Sequence, residues 1–168
     1  MSGAAAAERA RALTEEHWTY MDTFADRMIA RGPTLAADRD TWTGSLHILD
    51  LPSADAAHEF AEREPFNRAG LFEEHRIWRF RDLLGRTMWE SAGGSDEPRY
   101  LVIAHGPLQG AADLPPERLN VHGELLTLDE GRPVGVALAL QTASRHAVEA
   151  LVRGLEAEIH DWEFGGRR

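Results

Sequence analysis

A histidine on an apolar helix face and a glutamate set before a proline are the residue types that could move a proton between carbon and oxygen. His17 lies in the stripe Leu13, His17, Met21, Phe24, Met28, whose steps of four, four, three and four match one helix face. An imidazole titrates near neutral pH, so it can serve as general base or general acid at a cleft wall. On spacing alone, the same residue reads equally well as a core histidine bonded to a carbonyl. Glu64 stands in Glu64-Pro65-Phe66, where the proline biases it towards extended backbone and a turn. It reads either as a solvated carboxylate at a helix end or as the partner that fixes the tautomer of His17 and holds its charge. Phe66 and Arg68 follow on the same turn; arginine suits a carboxylate or enolate oxygen of a ligand.

The other candidates carry less. His47, His58 and His75 match no helical metal pair, and the expected site contains no metal. His105 and His122 fall at strand ends. His160 and Asp161 are neighbours on an expected strand and so point to opposite faces. Glu15 and Glu16 suit the first turn of a helix capped by Thr14. There is no GxGxxG or GxxxxGK phosphate loop and no Gly-x-Ser-x-Gly elbow.

The elements that would position His17 and Glu64 follow from the periodicity. Residues 4–31 read as helix, stopped by Gly32-Pro33. Residues 33–36 and 42–50 read as a hairpin around residues 37–40. Ser53 is an N-cap for a helix from Ala54 to about Arg63. Leu71 to Phe80 reads as a strand with Phe72, Trp78 and Phe80 on one face. Tyr100 to Ala104 is a short, continuously apolar strand. The region 106–117, with three prolines and two glycines, excludes a helix. A second hairpin follows over 119–128 and 133–141, then a helix over 143–153 and a strand over 157–164.

That order repeats. Gly32 and Gly44 are twelve residues apart, as are Gly123 and Gly135. Ala56, Ala57 and Phe60 keep step with Ala147, Val148 and Leu151, and Trp78-Arg79-Phe80 answers Trp162-Glu163-Phe164. One unit written twice decides a fold before other signals do. The reading is residues 1–90 as the copy carrying the site, 91–98 as linker and 99–168 as a degenerate second copy without a first helix. Only the first copy has His17 and Glu64.

Composition excludes several function classes. The net charge of −10 is spread evenly over both halves, with no basic run to neutralise phosphates, so neither nucleic acid nor an anionic membrane is an expected partner. Without cysteine there is no disulfide, thiolate nucleophile or iron–sulfur cluster from this chain. All 18 basic residues are arginine, so no lysine can form a Schiff base or hold pyridoxal phosphate. The N-terminus has no apolar stretch of signal-peptide length, and a cytoplasmic location is expected. An apolar fraction of 43% suffices for a packed interior.

Residues 14–80 resemble the YciI-like (YCII-related) family of small dimeric α/β-barrel proteins. The resemblance runs through Glu16-His17-Trp18-Thr19-Tyr20-Met21, Arg31-Gly32-Pro33-Thr34-Leu35, Gly44 to Leu49, Phe60-Ala61, Glu64 to Phe72 and Ile77-Trp78. Residues 99–164 resemble the same family more weakly. The resemblance implies an α+β fold of two ferredoxin-like units whose antiparallel sheets pack face to face. It also implies a catalytic histidine–aspartate pair. His17 falls at the family's histidine, and Glu64 at its aspartate, one methylene longer. The family begins with a strand ahead of the first helix, where this chain begins Met-Ser-Gly-Ala; either the start site is misassigned, or Tyr100–Ala104 is shared, or the sheet is incomplete. The repeats could pair within one chain or across a homodimer.

Together these readings give an expected small-molecule enzyme of lyase, isomerase or dehalogenase type, acting without a cofactor on a small oxygenated ring or acid. His17 would move the proton, Glu64 would orient it, and Phe66 and Arg68 would contact the ligand. The alternative is a non-catalytic protein of the same fold that binds a small molecule.

Overall fold

The computed structural model describes residues 3–91 and 96–165. Its elements are α1 (Gly3–Asp22), β1 (Met28–Leu35), β2 (Trp42–Leu49), α2 (Ala54–Arg63), α3 (Pro65–Arg68), β3 (Arg79–Asp82), β4 (Arg99–His105), β5 (Leu119–Leu126), β6 (Pro133–Gln141), α4 (Arg145–Leu151) and β7 (Ala157–Trp162). They form two compact units. One, helical, holds residues 3–28 and 49–77; the other holds 29–48 and 78–165. Residues 92–95 of the linker expected at 91–98, and the tail after Gly165, lie outside the described residues. Among the described residues no helix is long and apolar enough to cross a membrane.

The helical unit is built from α1, α2 and α3. Ser53 caps α2 by accepting the Ala56 N–H at 3.1 Å, so that helix runs over the span expected from its sequence. The N-terminal helix differs from expectation at both ends. It continues unbroken through Thr14, whose hydroxyl donates to the Ala10 carbonyl at 2.9 Å, so Thr14 is an interior residue and caps nothing. It stops at Asp22, well before Gly32. A 3₁₀ turn at Ala25–Arg27 takes up Phe24 and Met28 of the apolar stripe, and the chain then becomes strand.

Gly32 and Pro33 therefore lie inside β1. A Cβ on Gly32 would overlap the Glu163 carbonyl beyond the end of β7, so glycine is required there for backbone approach. Pro33 lacks a donor, but its carbonyl still accepts the Glu163 N–H at 3.2 Å. Two short-range helix-stopping signals are in this chain sheet-packing residues.

The second unit is one antiparallel sheet of seven strands in the order β2-β1-β7-β4-β6-β5-β3. Every strand among the described residues belongs to that one sheet, where two sheets packed face to face were expected. Neighbouring strands alternate in direction, so the edge strands β2 and β3 run the same way and cannot close the sheet by antiparallel pairing. Strand β4 is central and buried on both faces, which explains its unbroken apolar run. Tyr100, Val102 and Ala104 face a cluster with Leu138, Leu140 and, from α4, Val148. Leu101 and Ile103 face the other cluster, with Val121, Leu125, Ala139 and Trp162. That second cluster takes in Ile48 of one edge strand and packs against Phe80 of the other, because the sheet curls.

The strand expected over 71–80 is only Arg79–Asp82. Gly70 at φ 68° ends the preceding turn, and the charged run Glu73-Glu74-His75-Arg76 has no alternation to pair. The aromatics expected on one face are divided between the units. Phe72 packs edge-on to Phe66, with ring centroids 6.5 Å apart, whereas Trp78 and Phe80 join the sheet core. The helix expected over 143–153 is the shorter α4, capped by Ser144, and β7 ends at Trp162.

Candidate functional site

His17 and Glu64 meet within the helical unit. The Nδ1 atom of His17 lies 2.7 Å from Glu64 Oε1, and the two side chains are 12% and 3% exposed. Helix α1 carries the imidazole on its fifth helical turn. Glu64 reaches it because it occupies a corner: its backbone N–H donates to the Phe60 carbonyl, closing α2, while its side chain opens α3. Pro65 makes this corner. It sits at the first position of α3, where its missing N–H costs nothing, and keeps Glu64 extended at ψ 125°.

The carboxylate is used at both oxygens. Oε2 accepts the Asn67 N–H at 2.7 Å as the N-cap of α3, and Oε1 faces His17. Asn67 also donates from its side chain to the Ala61 carbonyl at 2.7 Å, tying the first turn of α3 back onto α2. Burial pushes the Glu64 carboxyl up. It is outweighed by the hydrogen bonds from His17, Asn67 N–H and Phe66 N–H and by the charge of His17, so the group sits below its ordinary 4.5. Glu64 is therefore an anion at neutral pH, and a bonded one. The reading of it as a solvated helix-end carboxylate fails because the corner folds it inward.

Phe66 stacks flat on His17, with centroids 4.3 Å apart and 5° between the planes. With one face covered and Nδ1 directed at the carboxylate, the neutral tautomer carrying its proton on Nδ1 has its basic lone pair on Nε2. Arg68 lies at the surface, 3.8 Å from Glu16, with both side chains more than half exposed. Its backbone N–H donates to the Glu64 carbonyl at 2.9 Å, while its guanidinium faces Glu16 rather than the Glu64 carboxylate.

Two supports of the site were missed in the sequence. Asn67 is one. Tyr20 is the other: its hydroxyl donates to the Phe60 carbonyl at 3.0 Å, the same oxygen that accepts the Glu64 N–H. Its ring packs among Phe24 and Phe60. Burial, the largest influence, raises the Tyr20 hydroxyl above its ordinary value, so it remains a donor. The spacing of Tyr20, three residues beyond His17, was the available signal. Tyr20→Phe is expected to lower stability by about 0.5–1 kcal/mol in chemical denaturation, because the Phe60 carbonyl keeps its other donor. A loss above about 2 kcal/mol would show that the hydroxyl carries more than this one bond.

The remaining histidines are elsewhere. His160 pairs with Glu158 at 3.2 Å, while its neighbour Asp161 is buried between Arg39 and Arg145, at 2.6 and 2.9 Å. Burial, the larger influence, lowers His122, against the opposing charge of Asp82. Among the described residues no three His, Asp or Glu side chains gather as a metal site.

Residues 2–81 match the family model of the YCII-related domain. No curated protein and no solved structure matched the chain. The matched segment contains α1, β1, β2, α2 and α3, and so both members of the His17–Glu64 pair.

Proposed function

We propose that this chain is a YciI-like protein built from two copies of one unit, and that it is a proton-transferring enzyme of lyase, isomerase or dehalogenase type. The observation that carries the catalytic reading is the 2.7 Å contact between His17 Nδ1 and a buried, ionised Glu64. In this reading Nε2 of His17 takes a proton from a carbon next to a carbonyl or enol and returns it to the leaving or rearranged atom. Glu64 fixes the tautomer and holds the imidazolium charge that forms. Phe66 covers one imidazole face and directs chemistry to the ring edge. Arg68 receives the carboxylate or enolate oxygen of the substrate. Its ion pair with Glu16 is exposed and weak, so a ligand can displace it. The scheme uses only groups of the chain.

Strand pairing supports the tandem reading. The last four strands lie in the order β7-β4-β6-β5, the 4-1-3-2 order of a ferredoxin-like unit. β1 pairs with β7 and β3 with β5, so the first hairpin strand of each copy joins the closing strand of the other. Gly32 and Gly123, equivalent in the repeat, lie at these junctions, against Glu163 and Phe80. The domain reading of 1–90 and 99–168 thus follows the repeat, while the compact units follow the sheet. A chain that supplies both halves has no need of a homodimer to pair them. A cytoplasmic location and a small-molecule partner belong to the same proposal.

The test is proton exchange in D₂O, followed by NMR over a panel of small keto acids, enol lactones and oxygenated rings. Catalysed deuterium uptake at the carbon next to the carbonyl is expected for at least one class. Ligand-induced shifts at the α1 and α3 amides, with no exchange and no turnover for any compound, would replace this reading with the binding alternative.

A further inference from the structure

The sheet unit has a cavity of about 440 Å³ lined by Arg39, Arg99, Pro98, Phe164 and the carboxylates of Asp96, Glu97 and Glu163. It contains none of the residues discussed at His17. The geometry points to a second small-molecule site here, one that takes a monocarboxylate with a flat apolar body, held by the guanidinium of Arg99 against Phe164 and Pro98.

Arg39 donates to the buried Asp161 at 2.6 Å, and its outer nitrogen lies 4.0 Å from Glu163. Its backbone is left-handed at φ 59°, a conformation unusual for a side chain this large, so the β1–β2 turn is held in place by its contacts. Glu97 is bonded to Arg118 at 3.2 Å. Arg99 alone among these groups has no carboxylate within ion-pair distance among the described residues. Its Nε is buried without an acceptor. Its guanidinium lies over the Phe164 ring, 4.3 Å from the centroid. Burial lowers its pKa, Glu163 opposes that, and Arg39 adds to it. Burying a guanidinium nitrogen without an acceptor is costly, and an anion bonded to this guanidinium would offset that cost.

The ligand class follows from the lining. A guanidinium fork matches a carboxylate bidentately. Phe164 is fixed by its edge-on contact with Trp162 at 5.6 Å, and Pro98 is equally rigid, so the walls suit a flat apolar body. The three carboxylates at the cavity limit the ligand to one negative charge, which disfavours phosphate. This site stands independently of the reaction proposed for His17.

Benzoate is the probe, titrated into the full chain and followed by amide NMR, with acetate and inorganic phosphate as comparisons. Saturable shifts at the amides of Arg99, Glu163 and Phe164 are expected, with a Kd on the order of millimolar for so small a ligand. Acetate should bind more weakly, and phosphate should give no saturable shift at these amides. Arg99→Gln should weaken benzoate at least about tenfold. Arg99→Lys, which keeps the charge but loses the fork, should lie between. Phe164→Leu provides a second route if Arg99→Gln does not fold. The His17→Asn variant should bind benzoate at these amides as the wild type does. Absence of a saturable shift there, equal binding of phosphate, unchanged affinity in a folded Arg99 variant, or loss of this binding in His17→Asn would overturn the assignment.

Discussion

Glu64→Ala is expected to lower the unfolding free energy at pH 7 by about 3 kcal/mol. About 1 of this is the lost N-cap of α3, and the rest is the charged hydrogen bond to His17 in a buried setting. The substitution leaves His17 and the Asn67 N–H without their acceptor. Urea unfolding followed by circular dichroism measures the loss. A loss below about 1 kcal/mol would mean the carboxylate is as dispensable as a surface residue. Glu64→Gln keeps an acceptor for Asn67 and should recover part of the loss.

The pH dependence has a definite sign. The folded-state value of Glu64 is depressed below 4.5, so the unfolded chain takes up its proton first as the pH falls. The stability this group contributes is fully present above about pH 5 and drains away below the unfolded value, down through the folded one. The gap between wild type and Glu64→Ala should therefore narrow in acid. A gap that widened below pH 4.5 would contradict an ionised, bonded Glu64.

His17→Asn is expected to reduce proton exchange or turnover by about 10²–10⁴-fold, the usual contribution of a positioned general base. Asparagine can still offer an amide N–H to Glu64, but it has no nitrogen that titrates. The variant should stay folded, with its stability lowered by about 1–2 kcal/mol through loss of the charged bond and of the Phe66 stack. Exchange rate, measured alongside the denaturation midpoint, separates the two effects. A folded variant that exchanges at the wild-type rate would remove the imidazole from the mechanism and leave Glu64 as a structural cap. Substitution of Arg68 should act on KM, since its side chain stands at the surface and takes no part in the His17–Glu64 side-chain pair.

Much of the local structure was legible because it depends on neighbours in sequence. Ser53 bonds Ala56 three residues on, and α2 begins where that signal stands. The hairpin read over residues 119–128 and 133–141 yields β5 and β6, whose faces both meet apolar clusters. The boundary between α1 and β1 was not legible. Met28 continues a helical stripe, and Gly32-Pro33 resembles a stop, yet tertiary pairing with residues beyond β7 takes that segment into the sheet. Propensity is a small local term, and a ladder of buried backbone bonds outweighs it.

The site divides along the same line. The sequence by itself determined that His17 lies on an apolar helix face, that Pro65 turns the chain after Glu64, and that no lysine or cysteine competes for the chemistry. Only the tertiary structure decided that the turn aims the carboxylate inward, that Asn67 caps one oxygen while His17 takes the other, and that Phe66 lies flat on the imidazole. A hydrogen bond between residues 47 apart depends on how three helices pack, and no spacing rule within a single element encodes it. The pairing of Arg39 with Asp161 across 122 residues was hidden for the same reason.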